Sequence, residues 1–278
     1  MRLQALSRIY AFILVVAMTL VILTGCNASP GGNETSTSSA VAPAALIAKR
    51  VASSLVVVEV EVNLSVRGAK HGHSMMTGIV YAADGLILTS ASPVENGEVK
   101  TVSSINVILP DKQNPGRYKE AVPAVLVGVD KTTGIALLRV KRSGLVPARL
   151  STHDAKVNEW IALISNMAFP SYAPHMGFLS YAQATVSAVN DRSSLTPAAV
   201  ITLKLSQALR CNAPYVLSYE PFDAQGNLTG FTVEQGSAAD SDTSGVVTVS
   251  SYHAIPAGQV AAAAARIRGS GARRVGPT

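Results

Sequence analysis

The sequence predicts an all-β fold closed by one C-terminal helix, and three observations carry that expectation. Residues 55–66 read LVVVEVEVNLSV, in which Val58, Val60, Val62, Leu64 and Val66 alternate with Glu59, Glu61, Asn63 and Ser65. Alternation with period two marks a strand with one face in a core and the other in water. Further apolar, β-branched segments follow at 76–82, 86–90, 104–109, 121–129, 134–140, 159–165, 176–189, 199–205, 226–233 and 245–252. Turn signals such as Asp84-Gly85, Pro110-Asp111, Asn114-Pro115-Gly116 and Gln225-Gly226-Asn227 separate them. Many short strands with few helices indicate a barrel or sandwich. The third observation is the run AGQVAAAAARIR after Pro256, with the propensity for a helix that Gly269 is expected to end.

Taken in order, the chain opens on a targeting signal over residues 1–25. Arg2 and Arg8 give it a positive start, and Tyr10 to Leu23 is an almost unbroken apolar run. That run is too short for a confident permanent membrane span. It ends in Leu23-Thr24-Gly25-Cys26, which resembles a bacterial lipobox. The resemblance implies cleavage after Gly25 and acylation of Cys26, and several acyl chains anchor a protein durably where one does not. The protein is then expected on the extracytoplasmic side of a bacterial cell membrane or outer membrane, held there by lipid.

Residues 26–43, with NASPGGNETSTSSA at their centre, are rich in Ser, Thr, Gly and Asn and read as a flexible tether. Asn-x-Ser/Thr triplets at Asn27, Asn33, Asn63 and Asn227 are accidents of composition in such a protein. The folded domain is expected over 44–268, beginning with a short helix from Ala44 to Ala52, and 269–278 is expected to be a disordered basic tail.

The formal charge of +6 comes from the two ends. Arg2 and Arg8 lie in the signal, and Arg266, Arg268, Arg273 and Arg274 lie at the C-terminus, which leaves the body neutral. A body without a basic face or interleaved aromatics excludes a nucleic-acid partner. With Cys26 acylated, Cys211 is the one remaining thiol, so no intrachain disulfide is expected, and Cys211 reads as a small buried hydrophobe. His71 and His73 flank Gly72 without a carboxylate or cysteine pattern nearby, and they read as a loop pair, not a metal site. No metal or other cofactor is implied.

Several segments resemble, in order, the HtrA/Deg-type trypsin-like serine proteases. TGIVYAADGLILTS (77–90) resembles their first hairpin, and AVLVGVDKTTGIALLRV (124–140) the strand pair that carries the catalytic aspartate. DAKVNEWIALISN (154–166), AQATVSAVN (182–190), DAQGNLTGF (223–231) and HAIPAGQVAAAA (253–264) resemble later strands, the hairpin after the nucleophile and the closing helix. The resemblance implies a trypsin-like double β-barrel with a cleft between its two halves.

It also implies where a Ser-His-Asp triad belongs. The family's histidine position holds Ser92, after Leu88-Thr89-Ser90-Ala91, and its aspartate position holds Gly134, in Thr133-Gly134-Ile135-Ala136. The nucleophile position has two registers: anchoring on Pro214 gives Leu217, and anchoring on Pro221 gives Ser218. In neither register are the glycines of an oxyanion hole present, because Val216, Leu217, Tyr219 and Glu220 occupy those sites. Serine does not accept a proton near neutral pH, and glycine has no side chain, so both general-base positions are lost. His153, His175 and His253 fall elsewhere in the match, and neighbours such as His153 and Asp154 seldom orient each other. The expected function is non-enzymatic: a membrane-anchored lipoprotein whose barrels bind an extended peptide or envelope protein, or serve a structural role. The alternative is an active serine endopeptidase that uses Ser218 with an unrecognised base.

Overall fold

The computed structural model describes residues 27–28, 43–66, 69–98, 100–111, 118–168, 177–212, 218–238 and 246–272. Cys26, His175, Leu217 and residues 273–278 lie outside the described residues. A two-residue strand β1 (Asn27–Ala28) precedes the body, which begins with helix α1 (Pro43–Val51) close to the expected limits.

Six strands then form a closed barrel: β2 (Leu55–Val66), β3 (Ala69–Ala82), β4 (Leu86–Ser90), β5 (Lys100–Pro110), β6 (Tyr118–Asp130) and β7 (Ile135–Val140). They pair in the order β2-β3-β4-β7-β6-β5. The alternation of β2 works as read from the sequence. Val58 and Val60 join Val80, Ile87, Val107 and Leu138 inside, with Val62 packed against them, while Glu59 is half-buried and Glu61 exposed. Burying each such side chain contributes about 1.5–3 kcal/mol. Close packing requires Gly78, where a Cβ would lie 2.8 and 2.9 Å from methyls of Val58 and Val56.

The second half contains β8 (Trp160–Ala168), β9 (Gly177–Asp191), β10 (Val200–Asn212), β11 (Glu220–Phe222), β12 (Gly230–Ala238) and β13 (Val246–Pro256). Their order is β11-β8-β9-β10-β13-β12. The edge strands meet through the Thr229 N–H on the Pro221 carbonyl at 3.0 Å and the Thr232 hydroxyl on the Tyr219 carbonyl, which rolls the sheet into a second barrel. Ile161, Leu163, Val186, Leu203, Tyr219 and Tyr252 fill it. The segment 226–233, expected as one strand, is a turn followed by the start of β12. Asp223 makes the turn, because its Oδ1 accepts the N–H groups of Gln225 and Asn227 at 2.9 and 2.8 Å.

A third core joins the halves. Ile47 of α1, Leu55, Leu88 and Ile135 of the first barrel, and Ile164, Phe222 and Phe231 of the second pack with helix α3 (Ala257–Ala272) through Val260, Ala264 and Ile267. The contact is tight at Gly128, where a Cβ would lie 2.9 Å from Ile267. Gly269 does not end this helix, which runs on to Ala272. An interior glycine costs only about 1 kcal/mol, and the Ser270 hydroxyl holds the Ile267 carbonyl at 2.8 Å.

Candidate functional site

The β3–β4 hairpin turns at Asp84-Gly85. Gly85 has φ +98°, and a Cβ there would sit 2.3 Å from the Val140 carbonyl oxygen, so only glycine fits. β4 ends at Ser90 and the chain makes one helical turn, α2 (Ala91–Val94), which presents Ser92 to solvent. The ammonium of Lys100 holds the carbonyls of Ser92 and Pro93.

Gly134 closes the turn between β6 and β7. Its N–H bonds the Asp130 carbonyl at 2.9 Å, and its own carbonyl accepts the Ala91 N–H at 2.8 Å. Ser92 and Gly134 are therefore neighbours. Gly134 has φ +69°, and a Cβ there would meet nothing within 4 Å. Asp130 does not fill that space. Its buried carboxylate accepts the Thr132 N–H at 3.1 Å, the Thr133 hydroxyl at 3.2 Å and the guanidinium of Arg266 on α3.

Ser218 lies across the seam. Its carbonyl accepts the hydroxyl of Thr77 on β3 at 2.8 Å, and Thr77 also lies 3.3 Å from the Ser165 hydroxyl on β8. Ser92 and Gly134 thus adjoin each other in the first barrel, while Ser218, which precedes β11 of the second, is tied to β3 through Thr77.

The Ser218 hydroxyl donates to Oε1 of Glu220 at 3.0 Å. Glu220 is fully buried, and Oε2 accepts the Thr232 N–H at 3.0 Å. Burial pushes its carboxyl up to about 8, although these hydrogen bonds oppose the shift. Tyr219 points into the second barrel, where its ring packs at 59° to that of Tyr252 with centroids 5.7 Å apart. Its hydroxyl is 2.6 Å from that of Ser180.

The histidines are placed elsewhere. His71 and His73 belong to strand β3, not to a loop, because β2 pairs back to Ala69 and Gly72 packs its backbone on Val62 and Leu64. His71 pairs with Asn63 at 3.0 Å and His73 with Glu59 at 2.9 Å. His153 meets the Asp154 backbone carbonyl at 3.2 Å and lies 3.8 Å from Asp223. Among the described residues, no three His, Cys, Asp or Glu side chains converge as a metal site.

Sequence reasoning missed a polar clamp in the second barrel. Glu234 on β12 takes the hydroxyls of Ser193 and Ser194, the Ser194 N–H at 3.1 Å and the His253 ring at 3.2 Å. Burial works to raise its carboxyl, but the bonds from Ser193, Ser194 and His253 prevail and hold it near 2. From the same loop, the Thr196 hydroxyl reaches the Thr132 carbonyl beside Gly134. A cleft of about 430 Å³ opens by Leu109, Pro110, Glu120, Arg142 and Val146 and includes none of Ser92, Gly134 and Ser218.

Comparison with known proteins fits this architecture. The trypsin-like peptidase domain model matches residues 76–216. A probable periplasmic serine endoprotease DegP-like of Ectopseudomonas mendocina (strain ymp) is 32% identical over 98 residues, which are 35% of this chain and 18% of that protein. The HtrA-type protease AlgW with a decapeptide superposes with a TM-score of 0.59 at 16% identity, covering 82% of this chain and 68% of that one. A variant of that protease with a tripeptide gives 0.57 at 18% identity, covering 78% and 60%. This chain thus spans under a fifth of the curated relative and three fifths of that variant. At such identities the structures show the fold alone. The domain match covers just over half of the sequence, and the chain therefore belongs to the trypsin-like peptidase family.

Proposed function

We propose that this chain is a lipid-anchored, extracytoplasmic trypsin-like module that holds an extended peptide or envelope protein without cleaving it. The observation that carries the reading is the Ser218–Glu220 pair. An attacking serine needs a neighbour that takes its proton. The Ser218 hydroxyl is instead paired inward, with a buried carboxyl whose burial favours keeping its own proton. Ser92 and Gly134 bring no base. In the register set by Pro221, Tyr219 and Glu220 stand where an oxyanion hole needs glycine, and one lost donor costs about 2.7–4 kcal/mol.

Binding draws support from the related structures, which are peptide complexes of HtrA-type proteases. The extracytoplasmic setting draws on the periplasmic relative, and the anchor on Leu23-Thr24-Gly25-Cys26. A fluorophosphonate probe on the purified protein at pH 7 tests catalytic silence, with no labelling expected.

The 3.0 Å contact favours one second reading, an endopeptidase in which ionised Glu220 takes the Ser218 proton. It requires Ser218-dependent labelling that grows as the pH passes 8.

A further inference from the structure

β9 pairs with β10 only from Val200 to Leu205 before it diverges to follow β8. β10 continues to Asn212, and β13 stays on its other side through that residue. The far half of β10 therefore has an edge that β9 has vacated. Asn27 and Ala28 occupy it antiparallel, with Asn27 opposite Arg210 and Ala28 opposite Leu209. An extended segment added to an open sheet edge gains main-chain hydrogen bonds and shields the edge from other chains.

The segment that fills this edge is the one that follows Cys26 directly. We propose that Asn27–Ala28 is a built-in docking strand that fastens the acylated end of the mature protein to β10. The domain then rides with its second barrel at the membrane surface. This rests on the lipid-anchor reading above. A free tether over 26–43 would let the body wander by roughly 20–25 Å from the lipid. With the strand docked, the acylated residue is one Cα step, about 3.8 Å, from a fixed position on the barrel.

Cysteine cross-linking in membranes from cells fed a palmitate analogue decides the matter. In a full-length Cys211→Ser background, Asn27→Cys is combined with Arg210→Cys or, as control, with Glu61→Cys, an exposed position on β2 of the first barrel. Strand β1 pairs with β10 of the second barrel, which leaves the control outside the roughly 7 Å a disulfide spans. Under mild oxidant the 27–210 pair should close at least roughly tenfold faster than 27–61. Equal rates in palmitate-labelled protein overturn the docking and leave the anchor standing. Absence of label overturns the anchor itself, whatever the cross-link does. If the cysteine variants fail to accumulate, benzoyl-phenylalanine at position 210 decides instead, with photo-adducts at 27–28 supporting the docking and adducts elsewhere overturning it.

Discussion

The Ser218 hydroxyl donates to Glu220 Oε1 at 3.0 Å, and Glu220 is fully buried. A carboxyl so placed is easier to keep neutral than to ionise, because its charged form loses water and gains only two hydrogen bonds. The pair anchors the chain as it enters β11 and uses the serine as a structural donor.

Stability should therefore depend on Glu220 in an unusual direction. Unfolded, the carboxyl titrates near 4.5, and folded, near 8. Between those values the folded state holds a proton that the unfolded state has released. Its contribution is complete below pH 4.5, declines as the pH rises, and is gone above about 8. Denaturant titrations at pH 5 and pH 9 should differ by a few kcal/mol from this group, and Glu220→Gln should flatten the difference. An unchanged slope in the variant would remove Glu220 as its source.

Docking of α3 should depend on Asp130 more than on Arg266. Asp130 is buried and also takes the Thr132 N–H and the Thr133 hydroxyl, so Asp130→Ala orphans two donors besides the guanidinium. About 2–3 kcal/mol should be lost. The Arg266 side chain is 54% exposed, and Arg266→Ala should cost about 1 kcal/mol. Urea midpoints of the two variants check the order, and the reverse order would refute this account of the pair.

Much of the first barrel was legible because its core residues alternate within single strands, as Val58 and Val60 do. The Asp84-Gly85 turn was legible because only glycine fits the backbone there. The segment at 226–233 was misread because its apolar residues flank a turn fixed by one side chain, Asp223. Gly269 was misread because tertiary packing through Ile267 outweighs a modest local penalty. The clamp on Glu234 left no trace in sequence, since its partners lie 19 to 41 positions away and meet only after four strands have paired. The neighbourhood of Ser92 and Gly134 follows from the bond between the Ala91 N–H and the Gly134 carbonyl, which joins two turns 43 positions apart. The inward turn of the Ser218 hydroxyl was not legible, because it depends on Glu220 being buried.

Tyr219 should be needed for folding of the second barrel. Its side chain is 1% exposed and packs on Tyr252. Tyr219→Gly removes a buried aromatic and loosens the backbone, at a cost of about 3–5 kcal/mol. Thermal unfolding should show a drop of many degrees, whereas Tyr219→Phe, which loses only the bond to Ser180, should cost about 1 kcal/mol. A stable Tyr219→Gly protein would mean that the position tolerates the glycine an oxyanion hole requires.

On the reading proposed above, placing histidine at 92 and aspartate at 134 should not confer catalysis. Ser92→His puts an imidazole on an exposed helical turn, and Gly134→Asp places a carboxylate at φ +69°, a left-handed backbone that costs a non-glycine residue roughly 1–2 kcal/mol. No steric barrier opposes the new side chain, since the space around Gly134 is open. The double variant should therefore fold, slightly destabilised. It should still not react with a fluorophosphonate probe or degrade unfolded casein. The Ser218 hydroxyl would remain directed at Glu220, and Tyr219 would remain buried in the second barrel. In active relatives of this chemistry, loss of the triad leaves only about 10³–10⁴ over water from binding and the oxyanion hole. On the proposed reading, in which no hole forms, adding back the base supplies a proton acceptor with no stabilised oxyanion to serve. Ser218-dependent labelling of the Ser92→His, Gly134→Asp protein would show that the hole is present after all and that only the base was lost.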